Sequence, residues 1–319
     1  MPHVTFIHGI GNKTSADELL DGWRGSLAGH GLDLTAVGAT SSMIYWADLL
    51  YPSPGRAEVA YESAGRTEDP SVPDIGMRWA VEAEGEEARF IEGLASAIGF
   101  AEFATDEPLE VAPPVERGAA PVDATGFERI PLPGWLKRRL MKILLRDVHH
   151  YLFDAEFSPR PGETYRIQRT IRKRVVDALE AGAQADGPHV VVSHSMGTVI
   201  IYDCLKRVDG CPPVDGLMTI GSPLGLDDIQ DGLKPEWTRS DGFPPKCGGH
   251  WVNVFDRLDP VAALDAGLAN DYQRRGSPVI DDLHESNWGT WRHDIAKYFA
   301  GTNLRARLES LLTASADGP

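Results

Sequence analysis

The chain has 319 residues, 42% hydrophobic and 24% charged, a composition that is typical of folded globular proteins and excludes overall disorder. Its 47 acidic residues outnumber 31 basic ones and give a net charge of −16, so we expect no nucleic-acid partner. The 3 cysteines form no CxxC pair, which excludes a disulfide framework and indicates a reducing compartment.

No stretch of the sequence predicts export or membrane insertion. The first residues lack the basic segment and following apolar run of a signal peptide. No uninterrupted apolar run approaches the roughly 20 residues that a membrane-spanning helix needs. We therefore expect a soluble, cytoplasmic protein.

Six short apolar runs lie along the chain, and most of them end in Gly, Ser or Asp. Branched apolar residues follow one another without polar alternation, which is typical of parallel strands buried on both faces. The runs are residues 4–7, 42–46, 190–192, 217–220, 251–255 and, more weakly, 277–283. Helical patterns lie between and after them, at 19–27, 167–181, 196–207 and 295–312, the last broken near Gly301. This alternation predicts an α/β fold with about six mostly parallel strands.

Residues 52–165 interrupt the alternation, which leaves residues 1–51 and 166–319 as the expected core. Within this insertion, residues 52–130 are rich in Pro, Gly, Ala and Glu and hold 17 acidic but only 6 basic side chains. The insertion leaves the carboxyl end of a predicted strand, where ligands bind in open α/β sheets. We therefore expect it to form a cap over the functional site.

The local charge changes from negative to positive near the end of the insertion. Residues 135–146 hold 5 basic side chains and no acidic one. Apolar side chains recur there at every fourth position, which predicts an amphipathic helix. We expect His149 and His150 at the water-facing edge of this helix. The apolar positions are Leu136, Leu140, Leu144 and Val148.

The strongest local motif is the pentapeptide Ser-His-Ser-Met-Gly at residues 193–197, which follows a run of valines and begins a helix. This is the small-x-Ser-x-Gly pattern of a nucleophile elbow, in the strand–turn–helix context that the motif requires. The turn is tight, so the positions two before and two after the central serine must be small, and Ser193 and Gly197 both are. The pattern predicts that Ser195 is a nucleophile, and the alternative is an ordinary serine N-cap.

A serine hydroxyl needs a base and an acid, which follow the nucleophile in the order Ser, acid, His in this kind of site. Two carboxylates follow the strand at 251–255. Asp256 lies at the strand end and Asp259 one turn further on, before Pro260. We favour Asp259, and Asp256 would then accept hydrogen bonds from the amides of the turn.

Three histidines follow the predicted nucleophile. His250 lies at the start of its strand, which is the wrong end for the chemistry. His284 follows a predicted strand and His293 precedes the last helix, so both are candidates for the base. We favour His293, partly on the resemblance described below.

Acyl transfer also needs backbone amides that stabilise an oxyanion. The amide of Met196 at the start of a helix is one candidate. The amide of Ile10, in the loop after the first strand, is the second. A Gly-x-Gly sequence in this loop could also indicate a dinucleotide site, but position 14 is Thr and the third glycine of that motif is missing. No HExxH or comparable metal-binding motif is present, so we predict neither a cofactor nor a metal ion.

Six blocks of sequence carry a family resemblance. They are residues 6–11 (FIHGIG), 44–48 (IYWAD), 192–198 (VSHSMGT), 219–225 (TIGSPLG), 251–262 (WVNVFDRLDPVA) and 293–299 (HDIAKYF). Together they resemble the α/β-hydrolase superfamily, and they are most similar to bacterial serine-hydrolase-like proteins with an N-terminal HGIG loop. The resemblance implies an α/β-hydrolase fold with a cap insertion and without the two leading strands of larger members.

The resemblance also implies roles for individual residues. It makes Ser195 the nucleophile, Asp259 the acid and His293 the base, with Ile10 and Met196 supplying the oxyanion amides. Serine stands at position 193, where the first small residue of the elbow is usually glycine.

The resemblance implies a reaction type but no particular substrate, because one fold hosts many activities. We expect a serine hydrolase that cleaves a carboxylic ester of an apolar small molecule through an acyl-enzyme. One alternative is a membrane-surface lipid-binding or lipase-like protein, on account of the basic helix at 135–146. It is less favoured because the leucines of that helix can pack over the pocket instead. Another alternative is a thioesterase or acyltransferase, although the acidic surface disfavours docking of an acidic carrier.

Overall fold

The structure, a computed structural model, describes residues 1–55, 76–98, 134–233, 239–262, 265–289 and 291–313, with the backbone alone at 134–138 and 239. The strands in these ranges are β1 (His3–Ile7), β2 (Thr40–Ile44), β3 (Glu156–Arg160), β4 (Glu163–Arg166), β5 (His189–His194), β6 (Val214–Ile220), β7 (Cys247–Phe255) and β8 (Ile280–His284). The α-helices are α1 (Ala16–Gly29), α2 (Arg78–Val81), α3 (Gly85–Ala97), α4 (Gly134–Leu152), α5 (Ile167–Gly182), α6 (Met196–Arg207), α7 (Asp227–Gly232), α8 (Ile295–Phe299) and α9 (Thr302–Thr313).

Six of the strands form one sheet in the order β2-β1-β5-β6-β7-β8, and every neighbouring pair is parallel. The prediction of an α/β fold with about six parallel strands flanked by helices is therefore confirmed. The remaining strands, β3 and β4, form an antiparallel hairpin inside the insertion. The sequence pattern did not predict this hairpin, because its strands are largely polar, Pro159 lies within β3 and Pro161 lies in the turn that follows it.

Each face of the sheet has its own apolar core. On β5, Val191 packs into one core while Val190 and Val192 pack into the other, because successive side chains of a strand point to opposite faces. Helices α3, α4, α5 and α6 contribute to the first core, and α1, α8 and α9 contribute to the second. All six residues of β5 are buried, which explains why its sequence shows no polar alternation.

Helix α4 is buried more completely than an amphipathic pattern predicts. The expected apolar positions 140, 144 and 148 are buried, whereas Leu136 lies outside the described side chains. His149 and His150 are each only 5% exposed, so the prediction that they lie at a water-facing edge is wrong.

The reason lies in the preceding helices, which cover this part of α4. The indole of Trp79 packs against the His149 ring at 4.8 Å between ring centres, and Glu87 Oε2 lies 3.2 Å from His149 Nε2. Burial, together with the nearby His149 and Arg146, lowers the pKa of His150 to about 3. The His150 imidazole is therefore neutral near pH 7 and is compatible with an apolar surrounding.

A buried carboxylate joins three of the helices. Asp203 on α6 is inaccessible to solvent and accepts a hydrogen bond of 2.6 Å from the Tyr151 hydroxyl on α4. It also accepts two from the Arg172 guanidinium on α5, at 2.7 and 2.8 Å, and Arg207 lies 3.1 Å away. These donors compensate for the removal of the carboxylate from water.

We expect Asp203→Asn to lower the free energy of unfolding by about 3 kcal/mol, because Arg172 and Arg207 would lose the charge that matches them. Urea denaturation measures this loss. Asp177→Asn is the control, since Asp177 pairs with Lys173 on the exposed surface of α5 and its loss should change stability little. Equal stability changes in the two variants would contradict the structural role of Asp203.

Candidate active site

The order of the strands places a topological switch point between β1 and β5. The chain passes from β1 outward to β2 and later continues from β5 in the opposite direction, so β1 and β5 flank the switch point of the topology. In open α/β sheets, ligands bind outside the carboxyl ends of the strands at such a point. Ser195 directly follows β5, and Gly9 and Ile10 follow β1.

Ser195 has a backbone conformation that non-glycine residues rarely adopt, with φ 53° and ψ −128°. Such conformations cost about 1–3 kcal/mol and persist only where the surroundings enforce them. Here the Ser195 amide donates a 2.9 Å hydrogen bond to the Ile220 carbonyl at the end of β6. The turn thus has the strained geometry that the pentapeptide motif predicts.

The small residues around Ser195 are required by close backbone approaches. A Cβ atom on Gly197 would lie 2.7 Å from the His8 carbonyl oxygen, and one on Gly9 would lie 2.6 Å from Ser195 Cβ. Ser193 is accommodated because its hydroxyl donates a 3.0 Å hydrogen bond to the Met218 carbonyl. A serine can therefore stand at position 193 without an unsatisfied buried hydroxyl.

Asp259 and His293 are in direct contact. His293 Nδ1 lies 2.8 and 2.9 Å from the two carboxylate oxygens, and Asp259 is inaccessible to solvent. The amides of Val261 and Ala262 donate to the same carboxylate at 2.8 and 3.2 Å. Burial alone would raise the pKa of the Asp259 carboxyl, but the charge and hydrogen bond of His293 outweigh it, with a further contribution from Tyr298, and lower that pKa.

The alternative base is not part of this arrangement. His284 lies at the end of β8 with an exposed side chain, and its ring packs against Phe255 at 5.6 Å between ring centres. The structure thus brings His293, and not His284, to the favoured acid.

The alternative acid has a different set of partners. Asp256 is 2% exposed and accepts hydrogen bonds from the Leu258 amide at 2.7 Å, the Asn287 amide at 2.6 Å and the Arg292 guanidinium at 3.1 Å. One carboxylate therefore joins the loop that carries Asp259 to the segment that carries His293. Asp256 was expected to accept hydrogen bonds from the amides of the turn, and it does so from the Leu258 amide.

Ser195 and the Asp259–His293 pair both contact the end of the neighbouring strand, β6. The Ile220 carbonyl that holds the Ser195 amide precedes Gly221, where a Cβ atom would lie 3.0 Å from Asp259 Oδ2 and 3.1 Å from His293 Nδ1. The Ser195 hydroxyl and His293 Nε2 are both buried, and neither has a hydrogen-bond partner among the described residues. Both atoms are thus removed from water without a compensating hydrogen bond.

The direction of the Ile10 amide is set by hydrogen bonds of the two residues before it in the loop after β1. The Trp46 amide donates to His8 Nε2 at 3.1 Å, which places the His8 proton on Nδ1, and this nitrogen donates to the Gly9 carbonyl at 2.9 Å. The carbonyl and amide of one trans peptide point in opposite directions, so the Ile10 N–H is directed away from the His8 ring. Met196 is the first residue of α6, where amide groups have no partner within the helix.

Several residues at the site were not predicted. The hydroxyl of Tyr298 on α8 donates to Asp259 Oδ2 at 2.6 Å. His194 packs its ring on that of His293, at 4.6 Å between ring centres, and its Nε2 lies 2.9 Å from the His293 carbonyl oxygen. Asp147 on α4 accepts from the Gly11 amide at 2.9 Å. Of these three residues, only His194 could have been placed at the site from the sequence, because it lies inside the Ser-His-Ser-Met-Gly motif.

The sequence matches no protein-family model and no curated protein. In the ranges that the structure describes, no group of three or more His, Cys, Asp or Glu side chains is arranged to hold a metal ion. Among the described helices, none is both long and apolar enough to cross a bilayer.

We expect Gly197→Ala to lower the free energy of unfolding by about 1–3 kcal/mol, because the new methyl group would overlap the His8 and Ile7 carbonyl oxygens. Gly22→Ala is the matched control on α1, where a Cβ atom would meet nothing within 4 Å. That substitution should stabilise the protein by about 0.5–1 kcal/mol. Urea denaturation compares them, and a Gly197→Ala variant as stable as the control would contradict the close packing of the elbow.

Proposed function

We propose that the chain is a serine hydrolase that cleaves a carboxylic ester of an apolar small molecule. The observation that carries the proposal is the combination of a strained serine at the switch point of the sheet with a buried Asp259–His293 pair beside it. Strained residues and buried charged pairs cost stability, and both occur preferentially at functional sites.

The geometry supports a familiar sequence of proton and acyl transfers. His293 Nε2 takes the proton of the Ser195 hydroxyl while the serine oxygen attacks the ester carbonyl. The imidazolium then gives this proton to the departing alcohol, which leaves an acyl group on Ser195. Water, deprotonated by His293, then attacks the acyl group, and the imidazolium returns the proton to the Ser195 oxygen as the bond to the acyl group breaks and the carboxylic acid leaves. Asp259 stabilises the imidazolium throughout, since its carboxylate faces Nδ1.

The negative charge on the carbonyl oxygen needs donors that are in place before the reaction. We assign this role to the amides of Ile10 and Met196, which lie at the ends of the neighbouring strands β1 and β5. No step of this mechanism requires a cofactor or a metal ion.

The topology supports an α/β-hydrolase fold as the framework of this activity. The parallel sheet, the serine at the turn between β5 and α6, and the order Ser195, Asp259, His293 along the chain all fit the motif. We assign residues 1–51 and 166–319 to the core and residues 52–165 to the cap. The hydrogen bond from the Gly11 amide to Asp147 supports this, because it joins α4 to the loop beside the site.

The burial of α4 favours a small-molecule ester over a lipid surface as the ligand. Its side chains from Leu140 to Tyr151 are nearly all buried, so in this part the helix has no free apolar face to insert into a membrane. An apolar binding site selects substrates by buried area, at about 0.8 kcal/mol for each CH₂ group.

We expect a fluorophosphonate probe to label the wild-type protein at Ser195 and to leave Ser195→Ala unlabelled. Hydrolysis across a panel of esters of increasing acyl length should fall by about 10³-fold or more in this variant, because only binding and oxyanion stabilisation remain. Ser158→Ala, in the exposed hairpin, is the control and should be labelled like the wild type. Failure of the wild type to react with the probe would refute the proposed function.

We expect Asp259→Asn to reduce kcat/KM by about 10⁴-fold, because a neutral amide would stabilise the wrong tautomer of His293 and would not support its charge. Asp256→Asn should cause a much smaller loss, since Asp256 contacts backbone amides and Arg292 rather than the imidazole. Steady-state kinetics on the best ester of the panel measure both variants. Equal losses, or the reverse order, would contradict the assignment of the acid.

A further inference from the structure

A buried tyrosine contacts the loop after β7 through its hydroxyl group. Tyr298 is inaccessible to solvent, and its hydroxyl donates a 2.6 Å hydrogen bond to Asp259 Oδ2. The Tyr298 hydroxyl oxygen also accepts a 3.0 Å hydrogen bond from the Asp256 amide. One phenol thus contacts the loop at two points, once at its beginning and once at the carboxylate that faces His293.

The tyrosine and the histidine belong to one short, well-anchored segment. His293 is followed by Asp294, whose side chain caps α8 by accepting from the Ala296 amide at 3.0 Å. Tyr298 lies one turn further along this helix. The segment therefore contacts Asp259 twice, through His293 Nδ1 and through the Tyr298 hydroxyl.

We propose that Tyr298 is a positioning residue for the Asp259–His293 pair: its hydroxyl fixes the carboxylate in the orientation that faces His293 Nδ1. The proposal rests on the proposed function for its kinetic consequences, but the contact itself does not. With both contacts in place, neither the carboxylate nor α8 can rotate without breaking a hydrogen bond to a buried charge, which is worth more than one between neutral groups.

The chemistry of the surrounding groups agrees with this role. Burial, and then the negative charge of Asp259, raises the pKa of the Tyr298 hydroxyl well above its usual value, so the phenol is a neutral donor at physiological pH. A neutral donor stabilises the ionised carboxylate without adding a positive charge that would compete with the imidazolium. Among the described residues, the aromatic rings in contact with His293 are those of His194 and Trp291.

Tyr298→Phe tests the proposal, because it removes the hydroxyl and keeps the ring. We expect kcat to fall by about tenfold with KM within twofold of the wild-type value, since the loss concerns the orientation of the base and not substrate binding. We also expect the His293 Nδ1 proton to give a low-field NMR signal in the wild type, and we expect this signal to broaden in Tyr298→Phe through exchange with solvent.

Tyr151→Phe is the matched control. The Tyr151 hydroxyl also donates a 2.6 Å hydrogen bond to a buried carboxylate, that of Asp203, but this pair joins α4 to α6 and does not touch the Asp259–His293 pair. Both variants should lose thermal stability, and only Tyr298→Phe should change kcat and the His293 proton signal. A Tyr298→Phe variant that loses stability while kcat and the signal stay unchanged would overturn the proposal.

The NMR measurement also tests the positioning role of Tyr298 separately from the proposed hydrolase function. A wild-type protein that neither reacts with the serine probe nor hydrolyses esters would refute the proposed function. The proton signal in wild type and Tyr298→Phe would still decide whether Tyr298 orients the pair, because this signal requires no turnover.

Discussion

The geometry of the site depends on a carboxylate that has no access to water. An ionised group in such a place is tolerated only where donors compensate for its lost hydration. Asp259 finds these donors in three places, which are the amides of its own loop, the imidazole of His293 and the hydroxyl of Tyr298. The amides belong to the loop after β7, whereas the imidazole and the hydroxyl belong to the segment of α8, so the charge can stay buried only if β7, its loop and α8 are correctly assembled. The site and the fold therefore stabilise each other.

The strained turn at Ser195 depends on the same edge of the sheet. Its amide is held by the carbonyl of Ile220, and the next residue, Gly221, has φ 56° and packs directly against the Asp259–His293 pair. Glycine is suited to this position because its backbone is left-handed and because a side chain would collide with the pair. The end of β6 thus contacts Ser195 on one side and the Asp259–His293 pair on the other, which fixes their relative positions through backbone atoms.

The sequence predicted those features that local patterns encode. Uninterrupted apolar runs identified the buried parallel strands, and the motif around Ser195 identified the turn between β5 and α6. The preference for Asp259 followed from its position beyond the strand end. Tyr298 and the joining role of Asp256 could not be predicted, because both depend on which loops meet in three dimensions. For the same reason the sequence misplaced His149 and His150, since their burial comes from α2 and α3 and not from their own helix.

Helix α4, which belongs to the insertion, contacts the loop after β1. Asp147 on α4 uses one carboxylate oxygen for the Arg146 guanidinium and the other for the Gly11 amide. The opposite end of the same short loop is held by His8, whose imidazole is fixed between the Trp46 amide and the Gly9 carbonyl. The loop that carries the Ile10 amide is therefore fixed from the core at one end and from the insertion at the other. A displacement of α4 would have to break a hydrogen bond to a buried charge or move Gly11 with it, which couples the insertion directly to the amide that we assign to the oxyanion.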